Sequence, residues 1–377
     1  MGNSMQETAV RDARPAVIHK FYTGDAWIEG KAEDQLTNMA RWPGMQAVAA
    51  FPDLHPGKYG PVGTAALADR LYPSLIGNDI GCGMTLFQLD LPVRKLKPAK
   101  AADRLRALEG PAEEDTEARL AASGLPADFA AALGTIGGGN HFCEVQVIDE
   151  ILDPDVADGL DPAFVCLLVH SGSRGLGNRV LTRVLETGTE ALDAASDDGR
   201  EYLADHDHAL AWASLNRQVI AERAARALRA DLHLIADVPH NFLVPFRGGW
   251  LHRKGAAMAL DGLVPVAGSR ATPSYLMTPL GAEDALASLA HGSGRKYDRA
   301  SMHGRVGRKK SDLARMVQTR LGGHIVCDDR DLLIEEAPEA YKNPDRVIAE
   351  LQATDAARPV ARLQPMVTFK RAREGRS

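Results

Sequence analysis

Asp79 and Cys82 stand three residues apart in LIGNDIGCGM (75–84), a run made largely of glycine and small or apolar residues. A carboxylate and a thiol are both ligands for divalent ions, and Gly77, Gly81 and Gly83 would let the backbone approach an ion closely. His141 follows the glycine run of GTIGGGNHFCEVQ, His170 ends the apolar run FVCLLVH and opens SGSRGLG, and His240 lies in VPHNFLVP. Each alone also fits an ordinary strand edge or turn. Together, one Asp, one Cys and three His in such places make one or two sites for borderline divalent ions. Coordination requires the Cys82 thiolate and neutral imidazoles, so metal affinity should fall in acid. His206 and His208 lack this context and are expected to face solvent from a helix. His19, His233, His303 and His324 show nothing special.

A second set of residues suits phosphate chemistry. Arg174, in the turn after His170, offers a guanidinium beside backbone N–H donors, as an anion site or an ordinary strand-to-helix turn would. WLHRKGAAMAL groups His252, Arg253 and Lys254 ahead of a helix-like run, and VAGSRATPSY (266–275) reads as an anion-binding turn. HGSGR (291–295) places His291 and Arg295 on a glycine-softened loop. Neutral imidazole is nucleophilic at neutral pH, so His291 could take a phosphoryl or nucleotidyl group; a polar surface loop is the plain alternative.

These residues need a scaffold. Apolar runs bounded by Gly, Pro or Asp predict strands at 45–51, 84–91, 142–148, 164–170, 263–268 and 365–370. Helices are predicted at 99–109, 112–133 (with a break at Pro126), 175–189 and 200–231. In the last, Leu215 and Val219, and Ile220, Ala224 and Leu228, cover more than one stripe, which implies deep burial. The chemistry-bearing segments are scattered from residue 53 to residue 295. A site gathered from so many places predicts a single mixed α+β domain over residues 1–377, with 1–15 and 371–377 as flexible tails.

The four cysteines are few and scattered, and Cys143 and Cys166 sit in apolar runs. Free thiols in a reducing cytoplasm are expected. The N-terminal sequence has no signal-peptide pattern, and no stretch approaches the roughly 18 apolar residues of a membrane span. A net charge of −6 weighs against non-specific coating of nucleic acid. The stretch from Arg295 to Arg320 is nonetheless heavily cationic and would serve as a local basic face or a solvated surface.

In collinear order, PDLHPGKYGPVG, NDIGCG, GGGNHFCEVQ, VHSGSRG, PHNF, HRKGA, AGSRATPSY, HGSGR and the terminal PMVTFK resemble the RtcB family of RNA-splicing and RNA-repair ligases. The resemblance spans about residues 25–370. WIEG with PGMQAVAAFPDLHPGK resembles the subgroup found beside release factor H. The family resemblance implies a fold built around a central dinuclear metal and nucleotide site. It implies GTP as cosubstrate with two Mn²⁺ ions, a guanylylated histidine, and transfer of GMP to an RNA 3′-phosphate, displaced by a 5′-hydroxyl. A 2′,3′-cyclic phosphate would first be opened. By motif, Asp79, Cys82, His141, His170 and His240 fall on metal ligands, with Cys82 shared between ions. His291 falls on the nucleophile, Arg295 on its loop neighbour and Arg174 on a catalytic arginine. Asn140, Glu144, Ser269 and Lys370 fall on guanylate or phosphate contacts. Manganese rests on the resemblance alone, since thiolate and imidazole intrinsically favour Zn²⁺.

The chain departs from the family pattern at Gly81, where Asn is common, at Arg270 in place of Met, and in the tail RAREGRS after Lys370. Two rival readings are a manganese enzyme that only opens cyclic phosphates and a non-catalytic RNA- or ribosome-binding partner. The subgroup likeness suggests repair of damaged RNA, with release factor H and the ribosome as functional partners.

Overall fold

The computed structural model describes residues 14–112, 115–157, 159–307, 312, 316–319 and 322–371. Of the expected tails, only residues 14, 15 and 371 fall within these, and the basic stretch 295–320 lies partly outside them. The chain is a mixed α+β domain whose described residues form two large sheets and a two-stranded one. The larger runs Val264–Val266, Ser274–Pro279, Ala357–Phe369, Phe142–Ile151, Phe164–Ser171, Gly83–Pro92 and Leu232–Pro239, with His324–Val326 added beside Ala357–Phe369. The smaller runs Val17–Lys20, Met45–His55, Val62–Ala68, Gly249–Lys254 and Asn241–Phe246.

FVCLLVH reads as an unbroken apolar run because both of its faces are covered. Val165, Leu167 and Val169 join a core with Ile220, Ala224 and Leu228 of the long helix Asp197–Leu228. The alternate residues Cys166 and Leu168 enter a second core with Leu276, Val360 and Leu363. A further core, including Phe51, Leu67, Leu251, Tyr275 and Met277, fills the space between the two sheets. The small sheet's other face is closed by Leu36 and Met39 of the helix Gly30–Met39.

The predicted strands all form, and the last is longer than predicted, Ala357–Phe369. The expected helix at 200–231 is Asp197–Leu228, capped by Ser196, whose hydroxyl accepts from the Gly199 N–H. Its first-turn acids Asp197 and Asp198 suit the helix dipole. The helix-like run after Lys254 is instead the short strand Ala256–Met258, paired with Ser288–Ala290. His206 does not face solvent. It is fully buried, and its Nε2 accepts from the Leu243 N–H at 3.1 Å. All four cysteines are buried free thiols. Among the described residues no helix is long and apolar enough to cross a membrane.

Candidate active site

Sheet register gathers the metal-type residues. In the antiparallel ladder Gly83 pairs with Ser171 on one side and Pro239 on the other, and Phe142 pairs with His170. The start of Gly83–Pro92, the start of Phe142–Ile151, the end of Phe164–Ser171 and the end of Leu232–Pro239 therefore lie together at one sheet edge. Asp79 and Cys82, His141, His170 and His240 occupy those four termini. Residues distant in sequence become neighbours by pairing alone.

The contacts divide around one sulfur. Cys82 Sγ lies 3.3 Å from His141 Nε2 and 3.1 Å from His170 Nε2. His141 Nε2 is 2.9 Å from Asp79 Oδ2, and His170 Nε2 is 3.3 Å from His240 Nε2. Cys82, His141 and His170 place their ligand atoms within 4.8 Å of one another. A buried thiol within reach of two imidazoles is a soft donor set. The arrangement fits a metal centre. Burial pushes the Cys82 thiol well above its ordinary range, and Asp79 pushes it further. Burial also drives His170 and His240 well below theirs, helped by the neighbouring imidazoles. Burial acts to raise Asp79, yet His141, Cys82 and Lys254 outweigh it and hold the carboxyl low.

His291 reaches this edge from the other side. Its ring centroid is 4.5 Å from that of His240. Its Nδ1–H donates to Asp53 Oδ2 at 2.7 Å, and the same oxygen lies 3.3 Å from the His291 backbone nitrogen. A carboxylate can only accept, so this contact places the ring proton on Nδ1 and keeps the Nε2 lone pair for other chemistry. Asp53 is completely buried at the end of Met45–His55. It lies in PDLHPGKYGPVG, where nothing in the local sequence marks it. Its partner lies 238 positions away, so no local spacing could reveal it.

Two cavities meet at His291 and Asn140, which line both. One, of about 870 Å³, is lined by Asp79, Cys82, His141, His240, Arg174 and Lys254. The other, of about 550 Å³, is lined by Phe142, Glu144, Ser269, Arg270, Arg295 and Lys370. Burial raises Glu144 to about 7 against the opposing pull of Thr368, Gln146 and Lys370. Lys370 is itself buried and donates to the His141 carbonyl at 3.0 Å. Ser269 Oγ lies 2.9 Å from Thr272 Oγ1.

Two arginines are already engaged. Arg295 donates to Glu336 Oε1 at 3.1 Å, to the Glu335 carbonyl at 2.8 Å and to the Tyr297 carbonyl at 3.0 Å. Arg174 donates to Thr135 Oγ1 at 3.2 Å and holds a φ of +56°. Of the His252–Arg253–Lys254 group, Lys254 lines the larger cavity. His252 is fully buried and accepts from the Tyr72 N–H at 2.9 Å, while Arg253 donates to Ser288 Oγ at 2.8 Å. Arg270 is buried, and one of its nitrogens donates to the Leu333 carbonyl at 2.9 Å.

The family profile described as tRNA-splicing ligase RtcB matches residues 35–119 and 114–371. The chain is 44% identical over 362 residues to RNA-splicing ligase RtcB2 of Escherichia coli, covering 94% of this chain and 95% of that protein. It is 29% identical over 450 residues to tRNA-splicing ligase RtcB of Archaeoglobus fulgidus, covering 91% and 92% of the two chains. Against RNA-splicing ligase RtcB of Mycobacterium tuberculosis it is 29% identical over 436 residues, covering 89% of this chain and all of that one.

Proposed function

The chain belongs to the RtcB family, and from that premise we propose that it is a GTP-dependent RNA ligase working with manganese. It joins RNA ends bearing a 3′-phosphate or 2′,3′-cyclic phosphate to 5′-hydroxyl ends. The observation that carries this reading is the meeting of a five-residue ligand set with an imidazole oriented by a buried carboxylate. Asp79, Cys82 and His141 would hold one ion, and Cys82, His170 and His240 a second. Bound there, the ions would neutralise phosphate oxygens and favour in-line displacement.

The protein's own residues do the rest. With Nδ1–H held by Asp53, His291 offers Nε2 to the α-phosphorus of GTP. A phosphoramide bond forms and pyrophosphate departs. The GMP then passes to the RNA 3′-phosphate, restoring the free imidazole, and the 5′-hydroxyl attacks the activated phosphorus and displaces GMP. Glu144, Asn140, Ser269 and Lys370, grouped in the smaller cavity, suit a guanosine. Arg174 and Lys254 line the larger one, where phosphates would gather. Arg295 acts by tying its loop to Glu336. Repair of damaged RNA, with release factor H and the ribosome as functional partners, extends the same reading.

The test is incubation with α-labelled GTP and Mn²⁺. Wild type should acquire an acid-labile label that His291→Ala lacks, and should join matched 3′-phosphate and 5′-hydroxyl fragments. Equal labelling of His291→Ala would refute the nucleophile. Opening of cyclic phosphates without any GTP use would favour the phosphoesterase reading, and RNA binding unaffected by Cys82→Ala with no ligation would favour the non-catalytic one.

A further inference from the structure

We propose that Lys342 is a positioning residue for the His291 nucleophile, clamping Asp53 from behind and the His291 loop from beside. The proposal rests on the ligase reading for its kinetic consequence, not for its geometry. Lys342 Nζ donates to the Pro52 carbonyl at 2.8 Å and to the Leu54 carbonyl at 2.7 Å. These are the carbonyls of the residues immediately before and after Asp53. The Lys342 backbone N–H donates to the Gly294 carbonyl at 3.0 Å, inside HGSGR. One residue thus ties the strand end that bears the carboxylate to the loop that bears the imidazole.

Three further observations converge on this knot. Gly294, at φ +70°, packs so closely that a Cβ there would lie 2.2 Å from the Asp53 carbonyl oxygen. Arg295 and Tyr341 form an isolated antiparallel bridge, which aligns the segment carrying Lys342 with the nucleophile loop. The ammonium sits 5.6 Å from the Trp27 ring centroid, so its remaining direction faces an aromatic surface. Trp27 is itself 47% exposed, an unusual position for an indole, and this contact gives it a role.

The electrostatics agree. Asp53 is completely buried, and its Oδ1 has no hydrogen-bond partner among the described residues. A buried carboxylate needs nearby positive charge, and Lys342 supplies it while burial lowers the ammonium itself to about 8. Removing the ammonium frees the two carbonyls and leaves that carboxylate less compensated. The hydrogen bond to His291 Nδ1 then loses its fixed geometry.

Two measurements on the full chain test this. In protein carrying ¹⁵N-labelled histidine, the Nδ1 proton shared with Asp53 should resonate far downfield, assigned by its loss in Asp53→Asn. Lys342→Met should abolish or shift that signal, and an unchanged signal overturns the proposal. In single-turnover guanylylation, Lys342→Met should lower the limiting rate ~30-fold, with half-saturating GTP moved less than ~3-fold. The double variant with Asp53→Asn should be no slower than Asp53→Asn alone. A limiting rate equal to wild type, or losses that multiply in the double variant, overturns it. Should Lys342→Met not fold, Lys342→Gln, which removes the charge and shortens the side chain, is read by the same criteria. Wild type that forms no histidine–GMP adduct sinks the ligase reading, and the resonance then judges the clamp by itself.

Discussion

In the proposed ligand set both halves depend on Cys82, and its ionisation has a measurable consequence. Burial and Asp79 keep the thiol protonated at neutral pH, whereas coordination requires the thiolate. Burial already holds His170 and His240 neutral. Uptake of an ion near pH 7 should therefore release about one proton, and affinity should rise about tenfold per pH unit from that group. Titration with Mn²⁺ in a weakly buffered indicator solution measures the release, and Cys82→Ser should abolish it. Ion uptake without proton release would show that another group supplies the ligand. Glu144 provides a second pH signature. An acid raised to about 7 is a carboxylic acid below that pH and a carboxylate above it, and only the carboxylate accepts two donors from a guanine edge. GTP affinity should climb as pH rises through about 7 and then level. Glu144→Gln should flatten this profile and weaken binding ~10- to 100-fold, as loss of hydrogen bonds to a charged group predicts; a profile that persists in Glu144→Gln rules out this carboxyl. Cys82 was legible in the sequence because it stands between glycines just before an apolar run, whereas Glu144, between Cys143 and Val145, was marked only by the family resemblance. Asp53 was not legible, because its partner lies 238 positions away on the HGSGR loop.

The elements that hold the ligand loops were harder to read. The glycines of NDIGCG appeared to make room for ions, yet the structure gives them protein neighbours. A Cβ on Gly81 would lie 2.7 Å from Ala213 Cβ on the long helix, and one on Gly83 would lie 2.8 Å from the Val238 carbonyl. The glycines let the loop lie against helix and strand. From that helix, Asn216 accepts from the Gly134 N–H at 2.7 Å and donates to Ser171 Oγ at 3.1 Å. Arg217 donates to the Gly81 carbonyl at 2.7 Å and the Ser171 carbonyl at 3.1 Å, and pairs with Asp237 at 2.8 Å. Two consecutive buried polar residues thus bind the loops before His141, after His170 and around Cys82. The helix itself was evident from its apolar spacing, but LNRQ gives no local sign that Asn216 and Arg217 point inward. Arg217→Ala breaks a buried pair and should cost ~3–5 kcal/mol in denaturant unfolding. Gly81→Ala should cost ~2–4 kcal/mol, combining a left-handed backbone at φ +73° with overpacking. A Gly81→Ala protein of wild-type stability would mean that the helix yields to the loop without strain.

The distribution of charge over the molecule decides how RNA is gripped. The chain carries a net charge of −6, so long-range attraction to a polyanion is weak and attraction must be local. The larger cavity is lined by Arg174, Lys254 and Arg299, and the basic stretch that begins at Arg295 spends its first cation on Glu336. Arg299 is shared with the same carboxylate at 3.3 Å. Few phosphates can then be neutralised, which sets the salt dependence. With two or three contacts on single-stranded RNA, log affinity against log salt should have a slope of about −1.5 to −2. Fluorescence anisotropy of a labelled fragment ending in a 3′-phosphate, followed across a salt series, measures this directly. Lys254→Ala should reduce the slope by ~0.7 and weaken binding without regard to sequence, because a phosphate contact carries no base information. A slope of −5 or steeper would place the grip elsewhere, on a broad cationic face such as residues 295–320. In that case the cavity beside Cys82 would receive only the RNA terminus, and holding the strand would fall to that face.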